Sequence, residues 1–198
     1  MLEQLEQFDQ QLLVFINSLH TPFLDPVMYY LSGKLIWAPL YVAILTYIAV
    51  KEKKKFWLFL LFVILSVLLA DRGSVLIKNA VHRLRPCHEP ALEGLVYSFR
   101  ERCGGLYSFV SSHATNSFNV AFISLLVIRK SWYTVFIICW ALAICYSRIY
   151  LGVHYPGDVL CGSIYGALVG SFCYTLYSYV KGYTENRREA RRTTEINV

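Results

Sequence analysis

The sequence predicts an all-α membrane protein, a polytopic bundle of about five to six transmembrane helices with an N-terminal amphipathic helix before them. Three observations carry that reading. The 198 residues are 56% apolar and 16% charged, with a mean hydropathy of +0.44, whereas soluble domains carry roughly 25% charged and 45–50% apolar residues. The apolar residues gather into runs close to the ~20 residues that cross ~30 Å of hydrocarbon. The basic residues gather into clusters between alternate runs, as connections on one side of a membrane do. This composition excludes a disordered chain. It also makes the excess of 19 Lys and Arg over 13 Asp and Glu a topological signal, so no nucleic-acid partner is expected. Six cysteines without a paired Cys-x-x-Cys argue against a zinc module.

Residues 1–22 come first. Leu2, Leu5, Phe8, Leu12, Leu13 and Ile16 recur at helical spacing among acids and glutamines, which suits an amphipathic helix lying in the membrane interface. The segment has neither the basic start nor the small-residue cleavage site of a secretory signal. Residues 23–180 form the expected transmembrane domain. Its first apolar stretch ends at Val50 and carries Trp37, Tyr41 and Tyr47. The other four cover residues 56 to about 78, about 113–128, 132 to about 146, and 158–180. A sixth, short span within residues 8–34 would reverse only the side on which the N-terminus lies. The basic clusters are Lys51, Lys53, Lys54 and Lys55, then Arg129 and Lys130, then Lys181, Arg187, Arg188, Arg191 and Arg192. In a five-span topology all of them face one side, which their charge makes the cytoplasm. Residues 181–198 then form a basic cytoplasmic tail, a solvated anchor.

The opposite face collects polar residues that hydrocarbon disfavours. They are Asp71, Arg72, Lys78, His82, Arg83, Arg85, His113, Arg148, His154 and Asp158, from three separate helix ends. Snorkelling at the interface accounts for some of them but not for their grouping. Lys78 and Arg85 are seven residues apart, hence on one face if helical, with Pro86 as the stop. Two such cations can hold one tetrahedral dianion. Ser111, Ser112 and His113 precede a long apolar run, where a serine can cap the helix and free N–H groups can bind an anion. His154 and Asp158 lie about one turn apart if a helix starts with Pro156 in its first turn. Asp158 can then accept one imidazole N–H and leave the other nitrogen free as a nucleophile. Arg148 adds a further cation. Taken singly, each group has an ordinary structural explanation.

Taken together, the groups read Lys78-x6-Arg85-Pro86, Ser111-Ser112-His113 and Ser147-Arg148-x5-His154-x3-Asp158. This pattern resembles the type 2 phosphatidic acid phosphatase superfamily, in its integral-membrane, bacterial-type lipid phosphatase branch. The first and third motifs match at every defining position. The second usually reads Pro-Ser-Gly-His, and here Val110 and Ser112 replace the proline and the glycine. The resemblance implies that His154 attacks phosphorus and forms a phosphohistidine, with Asp158 orienting it. It implies that His113 protonates the leaving oxygen, and that Lys78, Arg85, Ser111, Ser112 and Arg148 bind the phosphate. Neither a metal nor another cofactor is implied, because cations take the place of magnesium and no carboxylate cluster is evident.

A site at the bilayer's outer surface points to a membrane lipid phosphate as substrate, with the bilayer as the protein's other partner. The expected location is the bacterial inner membrane, with the site toward the periplasm or exterior. Members of this branch act on undecaprenyl diphosphate, lipid A phosphates, phosphatidylglycerol phosphate or phosphatidic acid. The loop of residues 87–112, with His88, Arg100 and Arg102, is a candidate head-group reader. A vanadate haloperoxidase would use the same pocket, and a transporter would place its charges within the spans. Both are more distant readings. Cys87 and Cys103 share the outer loop, where an oxidising compartment permits a disulfide, whereas Cys139, Cys145, Cys161 and Cys173 lie in apolar runs.

Overall fold

Three consecutive lysines interrupt the longest apolar stretch of the chain, Leu35–Val81, and there the backbone turns. The structure, a computed structural model, describes residues 2–101 and 103–196. Seven α-helices are found among the described residues, and no strand. They are α1 (Leu2–Ser18), α2 (Leu24–Leu31), α3 (Ala38–Glu52), α4 (Phe56–Val81), α5 (Ser112–Ile128), α6 (Ser131–Tyr150) and α7 (Pro156–Ile196). Lys53, at φ 49°, turns the chain from α3 into α4. The five apolar runs of the sequence thus become α3 to α7. Leu35–Val81, Ser131–Tyr150 and Pro156–Arg187 are long and apolar enough to cross a membrane, and Ser112–Ile128 is a shorter apolar helix. Neither α1 nor α2 qualifies as a sixth span.

The bundle is held from both ends. At the basic end, Lys51 Nζ donates to the carbonyls of Val127 and Ile128 at 2.6 and 3.2 Å, groups that the last turn of α5 leaves without helical partners. In the middle, Ile44, Ile48, Phe59, Phe62, Ile137 and Trp140 share one core. Trp37 and Tyr41 meet Trp140 edge-on. α5 and α7 run against each other at backbone distance: a Cβ on Gly166 would stand 2.0 Å from the Thr115 carbonyl oxygen. Such small-residue contacts are how helices approach closely in lipid. Trp57, Leu76, Leu160, Leu168 and Phe172 are exposed. They form an apolar exterior too extensive for water and suited to hydrocarbon.

Two segments differ from their sequence expectation. The helix that carries the last apolar run does not stop near residue 180. α7 continues unbroken to Ile196, because Tyr177 and Lys181 both donate to Glu52 and Lys55 donates to Thr184 Oγ1 at 2.7 Å. These bonds fasten the start of the basic tail to the α3–α4 turn. The side chains of Arg188, Arg191 and Arg192, and all of Arg102, lie outside the described residues. At the other end, α1 does turn Leu5, Phe8 and Phe15 outward at 60%, 63% and 62% exposure, but its opposite face is built into the bundle. Leu13 and Asn17 are buried. Asn17 Nδ2 donates to the carbonyls of Tyr97 and Tyr150 at 2.9 and 2.7 Å. α1 therefore sits at the end where α6 finishes and α7 begins.

Candidate active site

Four helix ends and one loop meet at that same end. α4 contributes Lys78 in its last turn and closes with His82 in the left-handed region at φ 55°. Lys78 and Arg85 are therefore not on one helical face: Arg85 lies beyond the helix with extended dihedrals, φ −71° and ψ 153°. It is brought back by an isolated antiparallel bridge between two extended segments. Leu84 bridges Tyr107, Arg85 N donates to Leu106 O at 3.0 Å, and Ser108 N donates to Arg83 O at 2.8 Å. The Arg85 side chain is steadied by loop carbonyls, Nη1 on Cys103 O at 2.8 Å and Nε on Tyr107 O at 3.2 Å. Gly104, at φ +90°, lets the loop wrap it, since a Cβ there would lie 3.1 Å from Nη1. Cys87 and Cys103 are joined at a Cα separation of 6.0 Å, which ties this loop to the residues that follow Arg85.

The two serines part company at the start of α5. Ser111 is fully buried and caps the helix, its side chain accepting the Ala114 N–H at 3.5 Å, while its own N–H donates to Asp158 O at 3.0 Å. Ser112 faces the site: its Oγ accepts from Lys78 Nζ at 2.8 Å and shares a hydrogen bond with Ser74 Oγ at 2.8 Å. Lys78 also donates to the Val110 carbonyl. Next comes the His154 ring, 1% exposed, with Nδ1 3.4 Å from Asp158 Oδ2. The same oxygen accepts the Tyr155 N–H at 3.0 Å. Arg148, in the last turn of α6, donates through Nη1 to Ser32 Oγ. Among the described residues its Nε has no hydrogen-bond partner.

Burial pushes the pKa of His154 well below the usual imidazole range, and the cations Arg148, Arg85 and Lys78 add to that, opposed by the Ser108 carbonyl. The ring is therefore neutral at pH 7, with Nδ1 directed at Asp158. Burial likewise lowers Arg85, with Asp158 opposing.

Lys78, Arg85, Ser112, His113 and His154 line one end of a cavity of about 720 Å³ whose other end lies among Ile44, Ile48, Phe59 and Val63. Ser111, Arg148 and Asp158 stand behind this lining. His88 and Arg100, singled out as head-group readers, do not line the cavity. Arg100 instead packs against Tyr29 and Phe99. Ser32, Lys34, Asp71 and Asn116 do line it, although the sequence reading gave none of them a role. Lys34 follows a glycine just before the first span, and that border position is the one signal that could have marked it. Arg83 and Asp9 were given no role either: Arg83 donates to Asp158 Oδ1 at 2.9 Å and to Asp9 Oδ2 at 2.8 Å. Among the described residues, the group of His, Cys, Asp and Glu with metal-ligand spacing is Cys87, His88 and Cys103, and two of these are bonded to each other.

The sequence model of the PAP2 superfamily matches residues 55–181. The chain is 40% identical over 178 residues to a lipid A 4′-phosphatase of Bacteroides thetaiotaomicron, covering 88% of this chain and 79% of that protein. It is 33% identical over 182 residues to a lipid A 4′-phosphatase of Porphyromonas gingivalis, covering 91% and 77%. Among solved structures, LpxE from Aquifex aeolicus superposes with a TM-score of 0.61 at 26% identity, covering 83% of this chain and 93% of that one. The transmembrane PAP2 type phosphatidylglycerolphosphate phosphatase of Bacillus subtilis has a TM-score of 0.65 at 22% identity, covering 92% and 87%, a likeness of fold. The match from residue 55 to 181 spans all three motifs that meet at the cavity's polar end, and the chain belongs to the PAP2 superfamily.

Proposed function

We propose that this integral membrane protein removes the 4′-phosphate of lipid A through a phosphohistidine on His154, at the periplasmic or exterior face. It is a membrane lipid phosphatase, a phosphoric ester hydrolase. The observation that carries the reading is the cavity itself, in which a neutral imidazole and a set of cations stand at one end of an apolar slot. A lipid phosphate has that shape: one charged end for the cations and acyl chains for the slot. The lipid A relatives supply the preference for the 4′ ester. The proposed location is supported by Lys51, Lys53, Lys54, Lys55, Arg129, Lys130 and Lys181, which lie at the end away from the site, as cytoplasmic charge does. The functional division is a catalytic bundle of residues 23–180, an interfacial helix within 1–22 and a cytoplasmic tail from 181.

In this mechanism Lys78, Arg85 and Arg148 neutralise the phosphoryl oxygens, with Ser112 as a further donor, and Ser111 shapes the loop by capping α5. Nε2 of His154 attacks phosphorus in line. The bond from phosphorus to the lipid oxygen breaks, and its electron pair stays on that oxygen, which takes a proton from His113. Water then attacks the phosphohistidine and gives a proton to His113, while the phosphorus–Nε2 bond breaks, its electron pair returns to the imidazole, and inorganic phosphate leaves. Asp158 holds the Nδ1–H tautomer throughout, which keeps Nε2 free.

Phosphate release from purified protein tests the substrate. The panel is lipid A, undecaprenyl diphosphate, phosphatidylglycerol phosphate and phosphatidic acid, each with and without EDTA. Lipid A is expected to exceed the others in kcat/KM by at least about tenfold, a difference of ~1.4 kcal/mol, with EDTA without effect. Turnover of undecaprenyl diphosphate with lipid A untouched would replace the proposed substrate, and an EDTA-sensitive rate would contradict the mechanism.

The acid limb of activity is a second expectation. Attack needs neutral His154, whose pKa burial holds well below the usual value. Corrected for the substrate's own ionisation, kcat/KM should therefore hold as pH falls through roughly 6.5 and decline only below it. The same sign applies to stability: below that pH the unfolded chain takes up a proton that the folded one refuses, so stability falls with pH. Half-maximal kcat/KM at or above pH 6.5 would contradict a buried, neutral nucleophile.

A further inference from the structure

We propose that α1 completes the catalytic centre: Asp9 holds Arg83, Arg83 holds Asp158, and both Asp9 and Arg83 are positioning residues for the His154 nucleophile. The inference rests on the reading of His154 given above.

Asp158 is wholly buried and has two oxygens to satisfy. Oδ2 accepts the Tyr155 N–H and faces the His154 ring. Oδ1 is taken by Arg83 Nη1 at 2.9 Å. A carboxylate gripped on both oxygens cannot rotate, so the imidazole it orients has one direction to point. Arg83 is fixed in its turn. Its Nη2 donates to Asp9 Oδ2 at 2.8 Å, and its guanidinium carbon lies 3.8 Å from the centre of the Tyr155 ring, a stacking geometry that holds the plane of the fork. Despite the cost of burial, Asp158 and Asp9 hold the Arg83 pKa above its usual value.

Asp9 makes one more bond, and it ties the chain of contacts to the helix that carries Asp158. Its Oδ1 accepts the Gly157 N–H at 2.7 Å, one of the first-turn N–H groups that α7 leaves unpaired, where negative charge is also favoured. Gly157 permits the approach, since a Cβ there would stand 2.9 Å from Asp9 Oδ2. A single carboxylate on α1 thus fixes the start of α7 and, through Arg83, the rotation of Asp158. One guanidinium bridging two carboxylates also leaves the pair with a single net negative charge, which tempers the pull of Asp158 on a proton at His154.

Full-length Asp9→Ala, Asp9→Asn, Arg83→Ala and Arg83→Lys proteins test this in liposomes, with lipid A as substrate and His154→Ala beside them. The readouts are kcat, KM, the inhibition constant of inorganic phosphate and the acid limb of kcat/KM. The groups that face His154 are Asp158 on α7, Arg148 on α6, Lys78 on α4, Arg85 in the loop and His113 on α5; none of them is altered. Asp9→Ala and Arg83→Ala should each lower kcat by about 10–100-fold, the size seen when the outer partners of a metal-bound imidazole are removed, with KM and phosphate inhibition within about twofold. Arg83→Ala should also move the acid limb to higher pH, because an unshared Asp158 favours protonated His154. Asp9→Asn keeps an acceptor for Gly157 and Arg83→Lys keeps the charge, so each should recover part of the loss and report even where an alanine variant does not fold. Unchanged kcat and acid limb in these variants, with His154→Ala inactive, would overturn the positioning role alone. A KM or phosphate inhibition constant that rises in step with the loss of kcat would overturn it in favour of phosphate binding. An active His154→Ala would overturn the reading beneath it.

Discussion

Replacing His154 with alanine is expected to abolish phosphate release, with a loss of about 10⁶-fold, the size that follows deletion of a nucleophile from a covalent mechanism. The expectation follows from how little else at the site can attack. The cations there cannot, Asp158 is wholly buried behind its imidazole and held by Arg83, and Ser112 Oγ is engaged by Lys78 and Ser74. His154 can be replaced without breaking a helix, because it lies in the turn between α6 and α7. The loss should therefore appear in kcat while the fold persists. Steady-state turnover of the variant, with helical content measured alongside, is the check. Asp158→Asn should lie between wild type and this variant, since the amide stabilises the other tautomer, at a cost of about 10⁴-fold where that has been isolated.

The second large effect belongs to His113, and it should depend on the substrate. A sugar hydroxyl is a poor leaving group and needs its proton as the bond to phosphorus breaks. His113 lines the cavity beside His154 at the first turn of α5, where it can supply one. His113→Ala should cost about 10²–10⁴-fold on lipid A. It should cost far less on an aryl phosphate, whose leaving group departs as a stable anion. The ratio of the two losses separates an acid from a phosphate ligand: a ligand would cost both substrates equally. Equal losses on the lipid and aryl esters would remove His113 from the acid role.

The parts of the site that could be read from the sequence are those whose chemistry is local. His154 and Asp158 are four residues apart, and their geometry follows once Pro156 opens a helix. Ser111 to His113 sit at the start of an apolar run for the same reason. The five apolar helices α3 to α7 were legible because lipid demands long apolar runs and the basic clusters separate them. What stayed hidden depends on contacts across the chain. Arg83 meets Asp9 at a separation of 74 residues and Asp158 at 75, and in sequence Asp9 is only a polar position on an amphipathic helix. The shared helical face of Lys78 and Arg85 was the wrong device. A left-handed His82 ends α4, and the pairing of Leu84 with Tyr107 performs the convergence instead. Ser111 and Ser112 could not be distinguished beforehand, because a shift of one residue in the helix start decides which hydroxyl caps and which faces the cavity. The small residues Gly162, Gly166 and Gly170, spaced by four, set how closely α5 and α7 bring His113 and His154 together.

The covalent intermediate is where the account is most exposed. Lipid A labelled at its 4′-phosphate, mixed with the enzyme and quenched in alkali within one turnover, should leave an alkali-stable, acid-labile label. Peptide mapping should place that label on His154, and the label should be absent from His154→Ala. Label on a peptide that lacks His154, or undiminished label in His154→Ala, would contradict the mechanism.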